Sequence, residues 1–171
     1  EVVGLDIDEK KVQSLKKSKV PFYEPNLEEL LKSTQKEGQL TFTTSYKEAI
    51  TDSDVIMIAV GTPSSEDGNA DLRFVFAASE SLPPFLKEKA VVVVKSTVPP
   101  GTLEEVEKRI DNTAKVEYFT ASVPEFLKEG SAVYDTLNPD RVVIGATNDF
   151  VFEVLEELHK PLNAPVIKIS P

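Results

Sequence analysis

The chain opens "EVVGLDIDEK", residues 1–10. Val2, Val3, Leu5 and Ile7 read as a short buried strand, with Gly4 allowing close backbone approach. Asp6 ends that strand, and the exposed helix pattern "DEKKVQSLKKS" begins at once. Two readings are open. In one, Asp6 or Asp8 simply caps the helix. In the other, Asp6 closes the second strand of a nucleotide-binding unit, where an acid holds a ribose hydroxyl.

The rest of the chain alternates in the same way. "NLEELLKSTQKEG" reads as a helix with Asn26 as cap, Glu29 three residues on and Gly38 as its end. "LTFTT" is a strand, and Ser45 caps "YKEAI". A fully apolar strand at Val55–Val60 is followed by a turn and the helix "LRFVFAASESL". Ala90–Val94 is the next buried strand, "STVPPGT" a loop and "LEEVEKRI" a helix, with Thr102 as its candidate cap. "KVEYFTAS" is a strand and "PEFLKEGSAV" a loop or short helix. "DRVVIGA", "FVFEVLEELHKPL" and "PVIKI" close the chain as strand, helix and strand. Short β-branched strands separated by helices predict an α/β fold, doubly wound, with a mostly parallel sheet. There is no internal repeat or long linker, and the one polar loop of note is Ser64–Asn69.

A glycine turn of the form G-x-G-x-x-G should precede an acid such as Asp6 by roughly 20 residues. The sequence contains no such turn. The expectation is therefore a fragment: the first strand, the phosphate-binding turn and the first helix lie upstream. In the usual 3-2-1-4-5-6 order the first strand is central, and its removal leaves a gap of about 10 Å that no hydrogen bond spans. Buried backbone groups do not stay unpaired, so a stable domain needs that strand from elsewhere.

Composition limits the function. The 171 residues suit one domain, with 40% hydrophobic and 28% charged residues. No apolar run approaches ~18 residues, so no membrane span is expected. There is no signal-peptide pattern. The absence of cysteine excludes a disulfide, a thiolate metal site or a cysteine nucleophile within these residues, and fits a cytoplasmic setting. A net charge of −10 repels nucleic acid and anionic membranes at long range. An anionic cofactor would then need local devices such as backbone N–H groups or a single lysine. His159, the only histidine, sits near a helix C-terminus and reads as structural, with no metal site.

Four stretches occur in order: "VPFYEPNLEELL" (20–31), "VIMIAVGTP" (55–63), "VVVKSTVPPGT" (92–102) and "PEFLKEGSAVYDTLNPDRVVIG" (124–145). With them the whole chain, residues 1–171, resembles the NAD-binding domain of the UDP-glucose/GDP-mannose dehydrogenase family. The resemblance implies a Rossmann-like domain. It also implies oxidation of the C6 alcohol of a nucleotide sugar to a carboxylate with two NAD+, through a thiohemiacetal and a thioester on a cysteine. UDP-glucose is the favoured substrate, with GDP-mannose or another UDP-hexose as the near rival. A homodimer is implied for the complete protein. The cysteine, and the family's lysine and asparagine that stabilise the oxyanion, lie outside these residues, so the chain alone is expected not to turn over substrate. A non-catalytic nucleotide-binding module is the rival from another class.

The residues have their own readings beside the implied ones. Val60, Gly61, Thr62 and Pro63 lie just past the carboxyl end of a buried strand, where open α/β sheets bind ligands; an ordinary turn is the alternative, and the family match puts the stretch against NAD. Ser96, Thr97 and Val98 lie in the same place after the next strand. They read as turn residues, or, by the resemblance, as cofactor contacts, with Thr97 also positioning catalytic water. Glu125 and Glu129 share a face if "PEFLKEG" is helical. Solvated glutamates are the plain reading. The resemblance assigns Glu125 to thioester hydrolysis and Glu129 to the cofactor and sugar. It also places the substrate along Phe126, Leu127 and Lys128. Val123 and Lys128 depart from the family's usual Asn and Arg, which bears on local hydrogen bonding. Lys11 lies near the adenosine ribose by the resemblance, or is a solvated helix lysine. Asp6 favours NAD over NADP, because a carboxylate repels a 2′-phosphate.

Overall fold

The computed structural model describes residues 1–65 and 68–171. The chain divides into two compact units. One comprises Glu1–Thr51 and Phe126–Asn138, the other Asp52–Glu125 and Pro139–Pro171.

The first unit carries β1 (Val2–Leu5), α1 (Glu9–Lys16), α2 (Leu27–Lys36), β2 (Leu40–Thr43), α3 (Tyr46–Ile50) and, from the later segment, α6 (Ala132–Leu137). β1 and β2 are parallel, with Val2 opposite Leu40 and Leu5 opposite Thr43. Gly4 faces Phe42, and a Cβ added at Gly4 would lie 2.6 Å from that ring, which is the close approach the glycine permits. Val12, Leu31, Ala49 and Ile50 are buried. β1 is less buried than its sequence suggests: Val2 is 60% exposed, and Ile7, beyond the strand, 76%. The physical reason is that β1 has a ladder on one edge only among the described residues.

Helix starts in this unit follow backbone as much as side chains. Asp8 caps α1, accepting from the N–H groups of Lys10 (2.8 Å) and Lys11 (3.2 Å). The Ser45 hydroxyl accepts from Glu48 N–H at 3.3 Å and caps α3 as expected. Asn26 holds the cap position of α2 but makes no side-chain cap bond, contrary to the sequence reading. Its φ of +65° turns the chain into the helix by backbone geometry, which asparagine tolerates. Gly38, at φ +71°, ends α2 as expected; its N–H donates to Gln35 O.

The second unit carries β3 (Val55–Ile58), α4 (Arg73–Glu80), β4 (Ala90–Val94), α5 (Thr102–Asp111), β5 (Tyr118–Ser122), β6 (Val142–Gly145), α7 (Asp149–His159) and β7 (Val166–Ile169). The strands lie in the order β3-β4-β5-β6-β7. All neighbours are parallel except β5 and β6, which share one antiparallel pair, Ser122 with Gly145. β4 is fully buried, as "AVVVV" predicts for a strand covered on both faces. Each such valine contributes about 1.5–3 kcal/mol of burial. Val91, Val93, Ala121, Val123, Ile144, Val151 and Leu155 form one core cluster with their neighbours.

Two expectations are corrected in this unit, and at its border one of two open alternatives holds. The strand read as Val55–Val60 stops at Ile58, where β4's ladder also ends. Gly101, at φ +84°, holds the cap position of α5, while Thr102 is its first residue and donates its hydroxyl to Pro99 O at 2.7 Å. "PEFLKEG" is irregular, and α6 begins only at Ala132, so Glu125 and Glu129 share no helix face. Of the loop Ser64–Asn69, Glu66 and Asp67 lie outside the described residues; Ser64 and Ala70 form a bridge. His159 ends α7 with Nδ1 at 2.7 Å from Leu155 O, so that nitrogen donates. No helix among the described residues is long and apolar enough to cross a membrane.

Candidate functional site

β3 and β4 run parallel and release their loops at the same carboxyl edge. Those loops are stitched together. The N–H of Lys95 donates to Ile58 O at 2.9 Å. The buried Ser96 hydroxyl donates to Val60 O at 2.6 Å, and the Thr62 hydroxyl donates to Thr97 O at 3.0 Å. Val60, Thr62, Ser96 and Thr97 are therefore brought together, with Gly61, Pro63 and Val98 beside them in sequence. Ser96 spends its proton within the protein and offers a ligand only its lone pairs. Thr97 is exposed.

Gly61 has no reason of its own in the protein's packing. Its φ is ordinary, and an added Cβ meets no described atom within 4 Å. The open side of the glycine faces space rather than protein, which suits a backbone that a ligand approaches.

Glu125 reaches this edge through β5. Val123 N–H extends the β4–β5 ladder by donating to Val94 O at 3.0 Å, so residue 95 of one strand and residues 124–125 of the other emerge side by side. Lys95 is half-buried there. Burial pushes its ammonium below the usual lysine range, and the Glu125 charge opposes that shift. Lys95 escaped the sequence reading. Its signal is a lysine ending the apolar run "AVVVV", where the stem must leave a core strand.

The remaining candidates belong to the first unit. Asp8 takes the cap of α1, which frees Asp6 from that role. Asp6 Oδ1 accepts from Asp8 N–H at 3.0 Å, and Oδ2 pairs with Lys11 Nζ at 2.6 Å. Burial raises the Asp6 pKa, but the Lys11 ammonium and the N–H groups of Asp8 and Ile7 outweigh it and hold the carboxyl below its ordinary range. Lys11 is thus committed to Asp6. Phe126, Leu127, Lys128 and Glu129 lie exposed on the irregular segment before α6. Lys128 N–H donates to Asp135 Oδ2 at 3.0 Å.

Two cavities lie elsewhere in the second unit. One of about 750 Å³ sits at the amino ends of β3 and β4, lined by Asp54, Val55, Lys87, Lys89 and Phe150. The other, about 250 Å³, is lined by Glu107, Asp111, Tyr118 and Asn148. Neither includes a sequence-predicted site residue. Ligands of open α/β sheets bind at the carboxyl edge, and the stitched loops mark that edge. Among the described residues no cluster of three or more His, Cys, Asp or Glu side chains is able to hold a metal ion.

The chain is 46% identical over 171 residues to UDP-glucose 6-dehydrogenase TuaD of Bacillus subtilis, covering 99% of this chain and 37% of that protein. It is 45% identical over 159 residues to UDP-glucose 6-dehydrogenase of Pseudomonas aeruginosa, covering 90% and 35%. Its fold matches a UDP-glucose dehydrogenase structure from the hyperthermophilic archaeon Pyrobaculum islandicum with a TM-score of 0.96 at 42% identity, covering 99% of this chain and 40% of that one. A GDP-mannose dehydrogenase ternary complex from Pseudomonas aeruginosa follows with a TM-score of 0.91 at 35% identity, covering 99% and 41%. The chain thus spans under two-fifths of the length of the curated relatives named here. Residues 1–163 match the family's NAD-binding domain, and the chain belongs to the UDP-glucose/GDP-mannose dehydrogenase family.

Proposed function

We propose that the chain is the NAD-binding portion of a nucleotide-sugar 6-dehydrogenase that oxidises UDP-glucose to UDP-glucuronate. The observation that carries this is the stitched pair of loops at the carboxyl ends of β3 and β4, with Gly61 open and Glu125 alongside. The residues fit NAD. Asp6 supplies a carboxylate for a ribose hydroxyl and disfavours a 2′-phosphate. Gly61 leaves room for close approach, and Val60–Pro63 with Ser96–Val98 offer backbone groups and hydroxyl lone pairs. Bound NAD would supply a hydride acceptor.

The chain's own residues then hold and shield the reacting group. Thr97, exposed at the strand edge, orients a water molecule. Glu125 takes a proton from that water as its general base. Phe126, Leu127, Lys128 and Glu129 meet the sugar. A cysteine outside these residues forms the thioester, two NAD+ are consumed, and the complete protein works as a homodimer in the cytoplasm.

The test is NADH formation by the full-length protein. With UDP-glucose, two NADH per UDP-glucuronate are expected, and mutation of Glu125→Gln slows the hydrolytic half. NADH with GDP-mannose and none with UDP-glucose overturns the substrate; no NADH with any nucleotide sugar overturns the activity and leaves a binding module.

A further inference from the structure

Glu24 has no part in the roles described above. It belongs to "VPFYEPNLEELL", in the turn before α2, and is only 7% exposed. A carboxylate removed from water is costly unless donors meet it. Its donors come from far along the chain. Gly130 N–H donates to one carboxylate oxygen at 2.8 Å, and Val133 N–H approaches the other at 3.5 Å.

The arrangement completes a helix start that the local sequence leaves open. Val133 is the second residue of α6, and Ser131, in the cap position, makes no side-chain cap bond. The Ser131 hydroxyl donates instead to Asp135 Oδ2 at 2.9 Å, the same oxygen that accepts from Lys128 N–H at 3.0 Å. The first turn of a helix needs acceptors for its N–H groups and favours negative charge; Glu24 supplies both from another element. Gly130, at φ +84°, makes the reversal between the loop and α6. Two carboxylates thus grip the backbone on either side of Glu129: Asp135 at Lys128 and Glu24 at Gly130.

We propose that Glu24 is a positioning residue for the Phe126–Glu129 segment. By clamping Gly130 and the first turn of α6 it sets where Lys128 and Glu129 are presented to the nucleotide sugar. The proposal rests on the dehydrogenase reading above. Glu24 acts through the backbone it holds rather than by touching the substrate.

The experiment compares Glu24→Gln and Glu24→Leu with the parent in the full-length protein, reading three quantities: amide hydrogen exchange in peptides spanning 126–134, the melting temperature, and NADH formation with UDP-glucose. Charge-assisted bonds of this kind are worth about ten-fold or more in an equilibrium. Exchange in Glu24→Leu is expected to quicken by about that factor, and kcat/KM for UDP-glucose to fall by a similar factor, while the KM for NAD is unchanged. Glu24→Gln, which keeps one acceptor and the shape, lies between the two. Unchanged exchange in both variants overturns the proposal. So does faster exchange with unaltered kcat/KM, or a loss of kcat/KM that merely tracks the melting temperature across both variants. A parent protein that makes no NADH sinks the dehydrogenase reading and the kinetic consequence with it. The exchange rates still decide separately whether Glu24 holds the segment.

Discussion

Asp6 shows how a residue's surroundings separate two roles that look alike in one dimension. Asp8 takes the helix cap, and Asp6 is left with Lys11 at 2.6 Å and the Asp8 N–H at 3.0 Å. Those partners outweigh burial and lower its pKa from the ordinary 3.8. A carboxyl with a depressed folded pKa contributes stability that is present in full above its unfolded value. That contribution is lost as pH falls through the folded value. Asp6→Asn removes the contribution. Urea unfolding across a pH series should therefore show the parent more stable than Asp6→Asn near neutrality, with the difference shrinking below about pH 4. A difference that stays constant down to the acid limit would show that Asp6 gains nothing from its ionised partners. Lys11, spent on this pair, was legible only as a lysine five residues on; its partner required the turn between strand and helix.

Elements were legible where burial dictates residue type, and their ends were not. β4 and the core side of α7 read directly from apolar runs and spacing, because a strand covered on both faces admits little else. The caps of α2 and α5 misled because Asn26 and Gly101 work through positive φ, which composition does not reveal. Glu24 was illegible as a cap for α6 because its partners lie 106 and 109 residues away. The loops after β3 and β4 were legible as lying past the carboxyl ends of their strands, yet the stitches between them were not foreseen. Gly61 gives a sharp test of what those loops do. Its φ suits any residue and an added methyl has room, so Gly61→Ala should be neutral or stabilising by up to about 1 kcal/mol through the unfolded chain. NAD affinity in the full-length protein should nevertheless fall, by about ten-fold, if the backbone must approach the ligand there. Calorimetry showing unchanged affinity would make the glycine an ordinary turn residue.

The molecule carries a net charge of −10, so an anionic dinucleotide finds no general attraction and must be met by local groups. Each sheet by itself agrees with the expected strand order: β1 neighbours β2 in one unit, and β3, β4 and β5 are neighbours in the other. The family match over residues 1–163 indicates NAD, and the site proposed for it is the carboxyl edge of β3 and β4. The larger cavity lies at the opposite, amino ends of the same strands, beside Asp54 and Lys89. Hydrogen exchange of the full-length protein with and without NAD separates the two directly. Protection is predicted in peptides covering 59–63 and 95–98, with those covering 54–55 and 87–91 unaffected. Protection confined to the amino-end peptides would contradict the placement of the cofactor and the account built on it.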